Sequence, residues 1–142
     1  MTTGPPERWR YQVDEHRKRK HHWEEDYPGF IRVGGEIVGK CPKTLTTTIA
    51  EDLLNRQSVP YHNPRAPGPN PDRLYVVHEG MVYRAVPTVA GQSFHGFPEL
   101  PQKLRELPKA VRNKILSLAE ELGCKESVEE WLSKSTEECI SS

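Results

Sequence analysis

The stretch 73-RLYVVHEGMVYRAVPTVAGQSFHGFP-98 decides the fold. Val, Tyr and Phe crowd it, and turn-forming residues divide it, so it reads as three successive strands. Two histidines, an arginine, a threonine and a serine sit among those apolar residues. In the last strand, alternation points Ser93, His95 and Phe97 one way and Gln92 and Phe94 the other. Ser93 and His95 are then about 7 Å apart along the backbone, from a rise of roughly 3.3 Å per residue. Gly91 and Gly96 permit close approach of a ligand or a bulge, and Pro98 stops the strand. The first turn admits two registers. A two-residue Glu79-Gly80 loop pairs His78 with Met81 and puts His78 on the face opposite Arg84. A three-residue loop uses Gly80 as a bulge and leaves His78 in the turn. Both registers remain open at this level.

Outward from this stretch, "FIRVGGEIVGKC" reads as a hairpin with a Gly34-Gly35 turn, closed by Pro42. "KTLTTTIAEDLLN" opens a helix, with Thr48 and Glu51 spaced as a capping box and Ile49, Ala50, Leu53 and Leu54 on its buried face. Residues 58–72 carry five prolines and read as a surface loop. After Pro98 the period changes. Leu104, Leu107, Val111, Ile115, Leu118 and Leu122 step by three and four, Pro108 suits a first turn and Gly123 a C-cap. Ser127 and Glu130 predict a second capping box, and the tail "STEECISS" a frayed end. Residues 6–26 predict a thinly amphipathic basic helix with Trp9, Val13 and Trp23 as anchors.

The expectation is an α+β fold: a small antiparallel sheet with helices packed on one face and two C-terminal helices. One domain spans 1–142, with a basic helical segment (1–28), a sheet-containing core (29–98), helices (99–134) and a tail (135–142).

Composition removes several classes. A chain of 142 residues supports one modest core, and at 35% hydrophobic and 28% charged it has no run near the ~20 apolar residues of a membrane span. No membrane association is expected. "MTTGPPERWR" has no apolar h-region, so no Sec signal is expected in it. Cys41, Cys124 and Cys139 form no CxxC pair, which excludes a zinc ribbon or a thioredoxin motif and fits a reducing compartment. His16, His21 and His22 are too irregularly spaced for a metal face, and Gly34-Gly35 opens no nucleotide-binding loop. No cofactor and no metal are expected. The net charge is zero but uneven: residues 7–22 hold six Lys or Arg against three acids, and residues 120–138 two Lys against seven acids. Such asymmetry suits one end that meets an anionic partner, and equally a pair of solvated helix faces.

Arg84, Thr88, Ser93 and His95 together suit a phosphodiester site. An arginine grips phosphate bidentately, hydroxyls donate to its oxygens, and a histidine exchanges protons near neutral pH. Arg84 stands in an otherwise apolar strand, where a cation needs a carboxylate, a π face or a bound anion. Lys40 is a second candidate cation and His78 a second proton-transfer group. Arg65 and His62 of the proline-rich loop, and Arg17, Lys18, Arg19 and Lys20 of the basic segment, are candidate substrate contacts. Ser93, His95, Arg84, Arg65 and His62 are predicted to line one cleft, with Thr88 at its rim, the loop as its wall, and the helix of residues 109–122 on the opposite face against Phe94. The competing structural roles are an Arg84 salt bridge to Glu36 or Glu79, turn caps from Thr88 and Ser93, and a backbone bond from His95.

"VYRAVPTVAGQSFHGFP" on a small sheet, with its His, Arg, Ser and Thr set, resembles the C-terminal toxin domains of bacterial polymorphic toxins. In layout it is similar to the metal-independent ribonucleases of the barnase, EndoU, colicin and RelE superfamily, over residues 30–98. That superfamily usually places its sheet late, whereas two helices follow here. The resemblance implies RNA cleavage, tRNA included, through 2′-hydroxyl attack to a 2′,3′-cyclic phosphate. It also implies a cognate immunity protein as partner, and action in the cytoplasm after delivery from another cell within a larger secreted toxin. An ADP-ribosyltransferase-like toxin, with Arg84 in a "YRA" strand, is a further alternative, though the Ser-Thr-Ser and glutamate signals of such a family are not visible. The other function classes are a non-catalytic nucleic-acid or protein binding module using the basic segment, and an immunity or inhibitor protein using the acidic end.

Overall fold

The computed structural model describes residues 9–11, 24–65, 68–89 and 92–140. Among these described residues seven strands are present: β1 (Arg10–Tyr11), β2 (Gly29–Val33), β3 (Glu36–Lys40), β4 (Ser58–Tyr61), β5 (Arg73–His78), β6 (Met81–Val89) and β7 (Ser93–Pro98). Five helices accompany them: α1 (Thr47–Arg56), α2 (Pro101–Arg105), α3 (Lys109–Glu121), α4 (Lys125–Ser133) and α5 (Thr136–Cys139). The main sheet runs β1-β7-β6-β5-β4, antiparallel except for the parallel β1–β7 pair, and β2–β3 is a separate hairpin. The chain is α+β with C-terminal helices. None of its described helices is long and apolar enough to cross a membrane.

The two-residue register holds at the first turn. His78 pairs with Met81, and Glu79 and Gly80 take φ of 49° and 82°, as a right-twisted two-residue hairpin requires. Gly80 is needed there twice over, since a Cβ would also lie 3.1 Å from Ser127 Cβ. Between β6 and β7 the register slips at Pro87–Val89, and the Ser93 hydroxyl accepts from the Val89 amide at 3.2 Å across the slip.

Alternation along the strands splits their side chains between two cores. Leu74, Val76, Tyr83, Ala85 and Phe94 pack with Trp9, Leu45 and the α1 residues Ala50 and Leu54. Val59, Tyr75, Val77 and Val82 pack with Leu104, Leu107, Ile115, Ala119, Val128 and Trp131 of the C-terminal helices, and with Phe30. Each fully buried large side chain contributes roughly 1.5–3 kcal/mol. Burial on both faces explains why β5 reads as an almost unbroken apolar run.

Several local expectations change. Phe94 does not meet the long helix; it is fully buried against Trp9, ring centroids 5.1 Å apart and edge-on at 83°. Helix α3 instead covers the other face, and α1 takes the Phe94 side. Residues 9–11 are extended rather than helical, and residues 12–23 of the expected basic helix lie outside the described residues. The Asn55 side chain holds both backbone groups of Trp9, accepting from its N–H at 2.8 Å and donating to its carbonyl at 2.9 Å. That tertiary capture outweighs a weak local helix preference. Four residues of the expected loop form the edge strand β4, where Pro60 blunts the edge. Helix α1 is capped by Thr46, α4 starts at Lys125 before the expected Ser127 cap, and the tail forms α5 with a Ser135–Glu138 capping box.

Candidate active-site cleft

Residues paired across an antiparallel ladder share a face. Arg84 pairs with Phe97 and with Tyr75, and Val86 pairs with His95, so Arg84, His95 and Phe97 project together. Arg84 and His95 are diagonal neighbours on adjacent strands, about 7–8 Å apart. Helices α3 and α4 cover this face around Val59, Tyr75, Val77 and Val82. Beyond them, the β2–β3 hairpin and α2 leave a cleft of about 270 Å³, into which Arg84, His95, Phe97, Glu99, Glu36 and Lys103 open.

His95 is half-buried, and its Nδ1 shares a 2.8 Å hydrogen bond with Thr88 Oγ1 at the exposed rim. Arg84 is 20% exposed and donates from a terminal nitrogen to Glu99 Oε2 at 3.1 Å. Its guanidinium carbon lies 5.8 Å from the Phe97 ring centroid, and its Nε is buried without a partner. Glu99 is clamped on every side. Its Oε1 accepts from the Leu100 amide at 3.0 Å, its own amide donates to the Val82 carbonyl at 3.0 Å, and its carbonyl accepts from the Trp131 indole at 3.0 Å. The guanidinium is therefore held in one pose by a carboxylate that is itself immobile. On the same face Arg73 donates to the Tyr75 hydroxyl at 3.1 Å, and burial raises that hydroxyl's pKa. Lys103 makes no ion pair with any described residue.

The remaining candidates are dispersed. Ser93 shares the face by alternation but is 3% exposed and committed to the bulge, outside the cleft lining. His78 projects from the opposite face beside Tyr83, ring centroids 6.4 Å apart. Its partner Met81 lies five positions along β6 from His95's partner Val86, about 17 Å at the strand rise. It cannot serve the same phosphate as His95. Lys40 ends β3 opposite Gly29, next to the cleft but not lining it. His62 and Arg65 are exposed beyond β4, two strands away from β6, so the loop does not wall the cleft. Asp72 pins that loop instead, accepting from the Asn63 amide at 2.6 Å. Arg17, Lys18, Arg19 and Lys20 lie outside the described residues.

Glu99, Lys103, Glu36 and Phe97 are the site residues that the sequence reading missed as such. A signal for Glu99 existed: the alternation that aligns His95 with Phe97 continues to Glu99 and sets a carboxylate on the face of Arg84. Lys103 carried none, because the fold of α2 back over β7 brings it in.

The other side of β7 holds a different polar group. Cys41 Sγ donates to the Gly96 carbonyl at 3.4 Å, and the Tyr11 hydroxyl accepts from the Gly96 amide at 3.4 Å. Burial pushes the Cys41 thiol up to about 12 and raises Tyr11 and Tyr83 as well. These are inert, structural groups around a void of about 20 Å³. Among the described residues no cluster of three or more His, Cys, Asp or Glu could hold a metal ion. Comparison with protein-family models, curated proteins and solved structures finds no match for this chain.

Proposed function

We propose that this protein is a small nuclease that cleaves RNA phosphodiesters by acid–base chemistry. The observation that carries the reading is that Arg84 and His95 project from one sheet face into one cleft. Thr88 orients the imidazole, and Glu99 orients the guanidinium. Arg84 and Lys103 supply the positive charge that a phosphoryl transition state needs. With His78 on the far face, the second proton-transfer group is Glu36, a carboxylate that lines the cleft together with His95. In this scheme Glu36 takes the proton of the ribose 2′-hydroxyl as its oxygen bonds to phosphorus. Protonated His95 gives its proton to the departing 5′-oxygen, and a 2′,3′-cyclic phosphate remains. The cleft's volume is near the ~300 Å³ lower bound of ligand sites, and two cations face two carboxylates there, so it suits a single phosphodiester. The toxin setting adds a cognate immunity protein as the natural partner and a foreign cytoplasm as the place of action.

The test is incubation of purified protein with total RNA and with tRNA in EDTA. Cyclic-phosphate ends are expected, with His95→Ala slower by roughly 10²–10⁴. Intact RNA at micromolar protein would overturn the reading, and cleavage that EDTA abolishes would overturn its metal-free part alone.

A further inference from the structure

We infer that the groove between α2, α3 and α4 is a second phosphate-binding station, which holds single-stranded RNA beyond the bond presented to His95. The inference rests on the nuclease reading for the identity of the chain, and on the groove itself for its anionic chemistry. The groove is larger than the cleft, at about 400 Å³, and three cations line it: Arg105, Lys109 and Arg112, against the single acid Glu129. It lies in the most one-sided run of the C-terminal region. Residues 102–114 hold Lys103, Arg105, Lys109, Arg112 and Lys114 against Glu106 alone.

These cations are not consumed by the fold. Neither Lys109 nor Arg112 makes an ion pair with any described residue, although Glu129 lines the same groove. Arg105 is fixed rather than neutralised, its NH1 donating to the carbonyls of Leu132 at 2.7 Å and Lys134 at 2.8 Å. The placement also opposes helix energetics. Helix α3 has no acid in its first turn and no side-chain cap at Pro108, yet it carries Lys109 and Arg112 where its dipole favours negative charge. An anion seated among the three cations accounts for that arrangement, and a merely solvated face does not require it.

Helix α2 joins the two sites. Lys103 lines the cleft and Arg105 the groove; two residues apart, they differ by about 3 Å along the axis but by about 200° around it, so α2 presents one cation to each site from opposite sides. A strand whose scissile phosphate lies at Arg84 meets Lys103 first and reaches the groove by crossing over α2. Half-buried Leu116 and Leu132 give the groove an apolar lining for an unstacked base.

Binding of the full chain to fluorescent 2′-O-methyl RNA, which lacks the attacking hydroxyl, tests this without turnover. With Lys109→Gln and Arg112→Gln combined, affinity for a 12-nucleotide strand should fall about tenfold, and the slope of log K against log salt should shrink by about 1.4. A trinucleotide should bind as before. Lys109→Gln alone, at an exposed position, gives half the slope change if the double variant folds poorly. Unchanged 12-mer affinity and slope would overturn the station. A polyglutamate peptide competing as well as RNA of equal charge would overturn the nucleic-acid assignment. Groove-dependent binding without cleavage of unmodified RNA would sustain the groove and fail the nuclease; cleavage with a long-substrate KM indifferent to the groove variants would do the reverse.

Discussion

Arg84 and Glu99 form an ion pair with both side chains largely withdrawn from solvent, 20% and 4% exposed, at 3.1 Å. The pair joins the middle of β6 to the end of β7 and fixes the cation of the cleft. Its loss should be asymmetric. Glu99→Ala leaves a guanidinium that is mostly buried beside an apolar ring, and should cost about 3 kcal/mol in urea unfolding. Arg84→Met with Glu99→Leu removes both charges and should recover most of that stability while abolishing RNA cleavage. A double variant as unstable as Glu99→Ala would show that the pair stabilises by more than mutual compensation.

Gly39 is where the hairpin leans on the sheet. A Cβ there would lie 2.7 Å from the Pro98 carbonyl oxygen and 3.3 Å from a Phe30 ring carbon. Gly39→Ala should therefore destabilise by about 1–3 kcal/mol and push β2–β3 away from β7, which widens the cleft. Thermal unfolding and KM for short substrates report the two effects, and an unchanged melting temperature would contradict the contact.

Glu79 occupies the left-handed region at φ 49° in the β5–β6 turn, a conformation that Asn tolerates better. Glu79→Asn should raise stability by about 0.5–1 kcal/mol with activity unchanged, because the turn stands at the end of the sheet away from His95. Chemical denaturation measures it. A loss of stability would mean that the Glu79 side chain has an energetic role in the turn.

Alkaline pH should unfold the protein progressively. Burial raises Cys41 from 9.0 to about 12 and raises Tyr11 and Tyr83, so the native state keeps protons that the unfolded chain releases. Stability is then fully present below about pH 9 and falls as pH rises towards 12. Tyrosinate absorbance should appear together with loss of near-ultraviolet dichroism, and Cys41→Ala should flatten part of the slope. At pH 8, Cys124 and Cys139 should react with a thiol reagent in the native protein, and Cys41 only in denaturant. A third thiol reacting at native rates would refute the burial of Cys41.

What the sequence by itself determined is local. Apolar and aromatic strand residues, the Glu79-Gly80 and Gly34-Gly35 turns and the three-and-four spacing after Pro98 specify the elements, because each depends on neighbours within one turn or one rung. Period-two alternation likewise set Ser93, His95 and Phe97 on one side of their strand. Alternation names two faces without saying what covers either. Here apolar residues pack against most of both faces, so no wholly polar side outlined the cleft, and the long helix packs over Val77 and Val82 instead of against Phe94. Only the tertiary structure decided that Glu99, not Glu36 or Glu79, answers Arg84, that His78 stands on the far face, and that α2 brings Lys103 to the cleft. The same holds for Trp9, drawn into an extended segment by Asn55, 46 residues away. Such choices are made by contacts between residues distant in the chain, and their energies, a few kcal/mol each, exceed the tenths that local propensity supplies.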